Sequence, residues 1–482
     1  MFWRGVLGYL PVNLAQGLVG LLTIIVFTRL LTPEDYGVYA LAYSAMVLAH
    51  TFLFTWTEAA MARFQAQARE RGETADHMLT LYRAWSLLGV GFPILAGALV
   101  WVAPMSPELK VAVSAGLAAI LFRSCIKLVQ ERRRADGEVA SAAALDIVQT
   151  IGGFAVGAAL AAMGMGGASP LVGSAAIAAL CLAFVFPGER KLLIGGHWQP
   201  RRAREYAAYG VPISLSLILS LVIASTDRFV LGAVLGEASV GVYHAGYSLA
   251  NRTLDVVFVW LGMAGGPALV AAFERGGREA LGKVAREQAS FMVLLTLPAT
   301  VGLALVALPL SELLIGPALA QGAARVVPWI AVGGFFSGVT TYYLHQAFTL
   351  GRRTGMLMAA MTLPAGLNLA LNFLLVPRFG LDGAMWATTA SYALGAVASW
   401  GLGRRVLALP LPVDTLLRTA LACLPMALLV LWLPDLDEVP ELALKAGLGA
   451  ATFALFAWLL DAGGLRTHGK ALLATLRPRS AT

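Results

Sequence analysis

The sequence predicts an all-α, polytopic membrane protein of about fourteen transmembrane helices, and three observations predict it. Hydrophobic residues make up 59% of the 482 positions and charged residues only 13%, about half the charged share of an ordinary soluble domain. Apolar runs of membrane-crossing length recur along the whole chain. Basic residues collect in every second gap between those runs. So little charge cannot cover a water-facing surface, so hydrocarbon is the main solvent. In that solvent the helix satisfies its backbone groups without water.

A hydrocarbon core of about 30 Å takes ~20 residues of helix. Runs of that length lie at roughly 11–31, 37–58, 84–103, 109–129, 139–162, 168–187, 208–226, 240–263, 289–310, 325–348, 356–376, 383–403, 415–433 and 442–460. The first run follows Arg4 and is too long for the core of a cleaved signal peptide. It also lacks an A-x-A-like site, so it is expected to remain as the first helix. The gaps after odd runs hold six basic residues, Arg29, Lys110, Arg228, Arg325, Arg378 and Lys445. The termini and the gaps after even runs hold twenty-seven, including Arg63, Arg69, Arg71, Arg201, Arg202, Arg204, Arg404 and Arg405. The positive-inside rule therefore places both termini and the even gaps in the cytoplasm. The remaining two, Arg123 and Arg252, lie well inside runs.

Several function classes are excluded. The net charge of +8 is spread over short loops in one alternating pattern, so no nucleic-acid partner is expected. Cys125, Cys181 and Cys423 sit within apolar runs, are odd in number and form no CxxC, which indicates neither disulfides nor zinc. There is no phosphate loop, HExxH or G-x-S-x-G, and no metal or cofactor is expected. Asp435-Leu436-Asp437 looks like a metal-binding D-x-D but falls in an outside gap, where it reads as a solvated acidic turn.

The chain echoes itself. Gly37-Val38-Tyr39-Ala40-Leu41-Ala42-Tyr43-Ser44 opens the second run, and Gly241-Val242-Tyr243-His244-Ala245-Gly246-Tyr247-Ser248 opens the eighth, with five of eight positions alike. Arg132-Arg133-Arg134 precedes the fifth run as Arg352-Arg353 precedes the eleventh. Gly167-Ala168 near the sixth run matches Gly383-Ala384 near the twelfth. Runs 1–6 and 7–12 therefore read as two copies of a six-helix bundle. An even helix number makes this a parallel repeat, the pattern of a transporter with its site at midplane. The predicted domains are a first lobe at 1–205, a second at 206–408, and two further helices with a cytoplasmic tail at 409–482.

Arg29-Leu30-Leu31-Thr32-Pro33-Glu34-Asp35-Tyr36-Gly37-Val38-Tyr39 resembles the first-loop signature of the polysaccharide-repeat (O-antigen/exopolysaccharide) flippases of the multidrug/oligosaccharidyl-lipid/polysaccharide exporter superfamily. Asp227-Arg228 followed by Gly241-Val242-Tyr243, and Leu381-Asp382-Gly383-Ala384, are similar to its second-half features. The resemblance implies two six-helix lobes in a V and alternating access. It implies undecaprenyl-diphosphate-linked oligosaccharide as cargo, moved across the bacterial cytoplasmic membrane. Implied partners are membrane lipids, a coupling ion (H⁺ or Na⁺), and polysaccharide polymerases or glycosyltransferases.

A charge at the bilayer centre costs at least ~2.5–3.5 kcal/mol, so ionisable residues inside runs are candidate transport residues. At about 100° per residue, His244, Ser248, Asn251, Arg252 and Asp255 share one face of run eight. Arg252 offers a planar fork to a diphosphate, with Asn251 and His244 bonding sugar or water. The alternative is that Arg252 and Asp255 neutralise each other at i,i+3. The repeat predicts a matching stripe of Ser44, Thr51, Thr55 and Glu58 in run two, with Glu58 read as a solvated helix end and His50 as a packed side chain. Arg123 reads as a cationic port, with Lys127 beside it as a snorkelling side chain. Asn368 and Asn372 in run eleven, and Asp146 in run five, read first as helix-to-helix bonding groups. Asp146 and Asp255 are also candidates for the coupling ion. Competing functions are a cation-coupled multidrug exporter of the same superfamily, or a membrane polysaccharide polymerase or ligase. The short outside gaps disfavour the enzyme.

Overall fold

The computed structural model describes residues 2–466, and among them there are helices and turns but no strand. Fifteen α-helices follow one another: α1 (Phe2–Leu30), α2 (Pro33–Leu53), α3 (Thr55–Glu70), α4 (Thr74–Val102), α5 (Pro107–Ala135), α6 (Val139–Ala162), α7 (Ser169–Leu192), α8 (Pro200–Leu235), α9 (Glu237–Leu305), α10 (Ala307–Leu314), α11 (Pro317–Val339), α12 (Gln346–Leu350), α13 (Thr354–Gly403), α14 (Val413–Trp432) and α15 (Glu438–Leu459). The tail beyond residue 466, expected to be cytoplasmic, lies outside the described residues.

Among the described residues eleven helices are long and apolar enough to cross a membrane. Two of these are double. α9 turns at Gly276–Gly277 and α13 at Gly380, with φ +61° and +57° at Gly277 and Gly380, a region that glycine enters without the Cβ penalty. With these breaks counted, and with α1, every apolar run of the sequence coincides with a helical segment. The family-like stretch begins α2: Thr32 accepts from the Asp35 amide as N-cap and Pro33 occupies the first turn.

The second run departs from its expected form. Its helix breaks at Phe54 (φ −120°, ψ −24°) and resumes as the polar, amphipathic α3. The break lets the His50 ring approach Glu58 to 2.9 Å, with the Glu58 side chain 12% exposed. Glu58 is thus a mostly buried carboxylate beside the His50 ring rather than a solvated helix end.

The chain divides into two compact units, Met1–His244 and Ala245–Thr482. In the first, α6 packs on α7 and α1, and α5 packs on α2, α3 and α7. Gly153 and Gly157 of α6 face α7, where a Cβ added to Gly173 would collide with the Gly157 backbone. This is a small-xxx-small crossing, which lets two backbones touch where hydrocarbon offers no hydrophobic drive. Met61, Leu81, Cys125 and Tyr206 bring α3, α4, α5 and α8 into one apolar core. Gly210 of α8 lies against the Trp56 backbone of α3.

In the second unit the Phe258 ring lies over Gly338, and the Tyr342 ring over Gly262. The two rings stack at 6.1 Å with 11° between their planes. This reciprocal pairing, in which both chains advance by one turn, makes the first half of α9 and α11 parallel, as two even-numbered runs must be. A five-residue π turn at Thr340–Leu344 continues α11 into α12, and Tyr343 Oη donates to the Pro410 carbonyl across to the chain before α14. α14 and α15 form a hairpin in which Arg418 Nη1 donates to the Leu460 and Asp461 carbonyls at 3.2 and 3.1 Å.

Replacing Gly173 with Ala should lower the thermal midpoint of the purified protein, by an overpacking cost of about 1–3 kcal/mol. Gly91→Ala, at a helical position with nothing within 4 Å, should leave the midpoint unchanged or raise it.

Candidate transport site

In the second unit the expected stripe on α9 is only partly as drawn. Asn251 Nδ2 donates to Asp255 Oδ2 at 2.6 Å, one helical turn away. Arg252 does not close on Asp255: among the described residues no ion pair holds its guanidinium, and both side chains are exposed. Leu254 and Phe258, on the adjoining face, are 2% and 1% exposed and anchor the helix to its neighbours. The stripe therefore presents a carboxylate, an amide and an unneutralised guanidinium side by side. That set can bind an anion through Arg252 and hydrogen-bond a hydroxylated group through Asn251 and Asp255.

Asn368 and Asn372 are fully buried. Asn372 Nδ2 donates to the Asn368 carbonyl at 2.9 Å and approaches its side-chain oxygen at 3.2 Å, while Asn368 Nδ2 reaches Thr388 Oγ1 at 3.4 Å. Together they tie the two halves of α13 across the turn at Gly380.

In the first unit, Arg123 is exposed and donates to Ser174 Oγ at 2.8 Å, from α5 to α7. Ser44 and Thr51 are buried in α2, at 4% and 8% exposure. Asp146 accepts from Arg134 Nη2 at 2.5 Å, and Arg134 also holds Glu131 at 2.6 Å. His244, the last residue of this unit, is 9% exposed and accepts from Arg228 Nε at 3.1 Å. Its ring lies 5.5 Å from that of Tyr36.

Two networks were not foreseen. The first surrounds the repeated octets. Asp227 is fully buried and accepts from Tyr243 Oη at 2.5 Å. Arg228 packs beside it, its guanidinium also reaching the Ala224 carbonyl. Around them α2 and α9 meet glycine to glycine. A Cβ at Gly37 would strike the Glu237 carbonyl, and one at Gly241 the Pro33 carbonyl. Asp35 adds a bond from the Gly167 amide at 3.0 Å. The echoed Gly-Val-Tyr was legible as symmetry, but symmetry alone does not say that the two copies touch.

The second network lies at the ends of α5, α6 and α7. Arg132 grips Glu189 with two bonds, at 2.9 and 2.8 Å, and donates to Asp136 at 2.8 Å. Asp136 also accepts from Gln65 at 3.2 Å. Glu189 is 2% exposed and Arg132 7%. The arginine triplet that marked a cytoplasmic gap by its charge is thus consumed in binding three helices and α3 together. Asp435, of the D-x-D stretch, has a 91% exposed side chain and meets Lys445 at 3.0 Å, as a solvated turn should.

The multi-pass helical bundle defines a class by its architecture, and its fold is similar to that of solved transporters of the MOP superfamily. It aligns with a structure of the lipid II flippase MurJ in an inward closed conformation at a TM-score of 0.77, with 14% identity, covering 95% of this chain and 99% of that one. It aligns with an inward-facing multidrug resistance MATE family transporter of the MOP superfamily at a TM-score of 0.60, with 15% identity, over 82% and 93% of the two chains. A MOP superfamily transporter from Pyrococcus furiosus aligns at 0.53, with 15% identity, over 83% and 92%. No curated protein matches the chain by sequence. The chain belongs to the polysaccharide biosynthesis protein family, whose sequence model matches residues 26–321.

Glu189→Ala should destabilise the protein by about 3–5 kcal/mol, the cost of breaking a buried pair and stranding its arginine. Glu189→Gln, which keeps one acceptor, should cost less. Chemical denaturation of the purified protein measures both.

Proposed function

We propose that the protein is a flippase that moves an undecaprenyl-diphosphate-linked oligosaccharide across the bacterial cytoplasmic membrane by alternating access. The observation that carries this reading is Arg252: exposed, without an ion-pair partner among the described residues, in a helix long and apolar enough to span the bilayer. Hydrocarbon would not tolerate an open guanidinium there, so the side chain belongs to a water-filled passage. A diphosphate is the anion it fits, since two parallel N–H donors match two phosphate oxygens. Asn251 and Asp255 beside it suit the first sugar, and the prenyl tail stays in lipid. Arg123, exposed and bonded to the Ser174 hydroxyl, serves as the inner-leaflet port. Membership of the polysaccharide biosynthesis family supports a glycan as cargo. Glycosyltransferases would then supply the cargo and a polymerase consume it.

Of the two carboxylates considered for ion coupling, Asp146 is held by Arg134, whereas Asp255 is accessible and accepts from the Asn251 amide. Asp255 is therefore the better placed to take up H⁺ or Na⁺ as the charge on Arg252 is covered by cargo. The same exposed carboxylate also favours a second reading, the cation-coupled drug exporter.

Arg252→Ala and Arg123→Ala should each cut surface polysaccharide by about tenfold or more, the worth of a charge-assisted contact, with the protein still present in the membrane. Arg252→Lys should restore part of the loss. Normal polysaccharide in both alanine strains would remove the two residues from the passage. Drug hypersensitivity of a deletion strain with normal polysaccharide would favour the exporter.

A further inference from the structure

We infer that the outer end of the second unit carries a saccharide-binding platform formed by Trp329, Trp386 and Phe379, with the Arg325–Asp382 pair at its rim. This rests on the flippase reading and names where the glycan, rather than the diphosphate, makes contact. The outer side is the one assigned by the alternation of basic residues, on which Arg325 and Arg378 both fall.

The geometry is that of a built surface rather than scattered rings. Trp386 meets Trp329 edge-on at 6.3 Å and Phe379 at 5.3 Å. All three remain open, at 36%, 43% and 48% exposure. Arg325 stands one helical turn before Trp329 on α11, and Asp382 one turn before Trp386 on α13. The two charges therefore sit side by side at one edge of the rings. Their contact is long, 3.3 Å at its shortest, and the Arg325 side chain is 69% exposed. Thr389 Oγ1 donates to the Trp329 carbonyl at 2.9 Å, fixing α11 to α13 beneath the rings. The left-handed Gly380 lies next to Phe379 in the turn.

A pyranose is amphipathic in the complementary sense. One face of its ring is C–H and stacks on an aromatic face, while its rim carries hydroxyls in neighbouring pairs. A guanidinium donates to such a pair and a carboxylate accepts from one. A tryptophan that serves only as a membrane-interface anchor needs an apolar body in lipid and an N–H in water. It needs neither partner rings nor an ion pair at its edge. The platform also continues inward. The Tyr392 ring packs 3.2 Å from where a Gly333 Cβ would stand, and the Tyr392 and Tyr247 hydroxyls lie 3.4 Å apart. Tyr247 stands one turn before Asn251 on α9. A glycan on the platform and a diphosphate at Arg252 would thus lie along one polar track of a single unit.

The test uses the full-length protein in lipid nanodiscs and, as probe, the lipid-free oligosaccharide released by mild acid from the host's own surface polysaccharide. Affinity is read by saturation-transfer NMR or calorimetry. Trp329→Ala and Trp386→Ala should each weaken binding about tenfold. Trp386→Phe, which keeps a ring, should stay within about threefold of the parent. The phenylalanine variant separates loss of stacking from loss of fold. Unchanged affinity in both alanine variants overturns the platform. So does quenching by brominated lipid of the fluorescence that is lost in a Trp329→Phe/Trp386→Phe double variant, since the rings would then face hydrocarbon. If the tryptophan-to-alanine variants lose the oligosaccharide while a strain deleted for the protein keeps normal surface polysaccharide, the platform stands and the flippase reading falls. If binding is untouched in those variants while the deletion strain loses its polysaccharide, the reverse holds.

Discussion

The molecule is governed by the refusal of hydrocarbon to solvate an unpaired charge. Once a chain is 59% hydrophobic, each remaining ionisable group must find a partner, reach an aqueous end, or sit in a wet passage. Most take the first two routes. Arg132 and Glu189 satisfy each other bidentately with both side chains nearly excluded from solvent. Lys445, inside α15, is met by Glu441 at 2.6 Å and Asp435 at 3.0 Å. Against this background Arg252 is conspicuous: it is exposed in a helix of membrane-crossing length, and among the described residues no ion pair holds it.

The same solvent dictates how helices adhere. Lipid tails are as apolar as leucine, so burying leucine gains little, and adhesion must come from close packing and polar bonds. That is why contacts within each unit run through glycine: Gly173 on Gly157, Gly37 on the Glu237 carbonyl, Gly338 under the Phe258 ring. Glycine also does the opposite task. At Gly277 and Gly380 a positive φ lets helices reverse that would otherwise run on unbroken. The buried asparagines then hold the second of those reversals closed.

Most of the fold was legible because two independent signals had to agree. Run length set the helices and loop charge set their alternation, so a missed helix would have scrambled the second signal. What composition could not show was where a helix continues past the membrane. α3 and the two arms of the α9 turn at Gly276–Gly277 are amphipathic extensions in which polar residues keep a helical period, and a hydropathy window sees only their polarity. The site was less legible. Helical periodicity placed Asn251 and Asp255 on one face, and they are bonded. It could not say that Asp255 would bond to the amide rather than to Arg252, since at i,i+3 and i,i+4 both are within reach. Nor could it show that Asp146 lies within the grasp of Arg134, a contact between residues twelve apart in sequence, made across the short turn that joins α5 to α6.

The repeat gives this sorting a direction. Duplication predicted matching polar stripes on the second and eighth runs, yet the copies have diverged. Ser44 and Thr51 are buried in packing, whereas Asn251, Arg252 and Asp255 are accessible. A scaffold copied twice needs its glycines and tyrosines in both copies, because they set how closely helices approach. On the proposed flippase reading it needs a recognition charge only where cargo passes, and every copy of that charge costs insertion energy. Retention of Gly-Val-Tyr in both octets, with the guanidinium confined to one stripe, is the pattern expected when the first is a packing requirement and the second a functional one. Divergence between repeats is therefore the sharper guide to the site, and similarity between them the sharper guide to the fold.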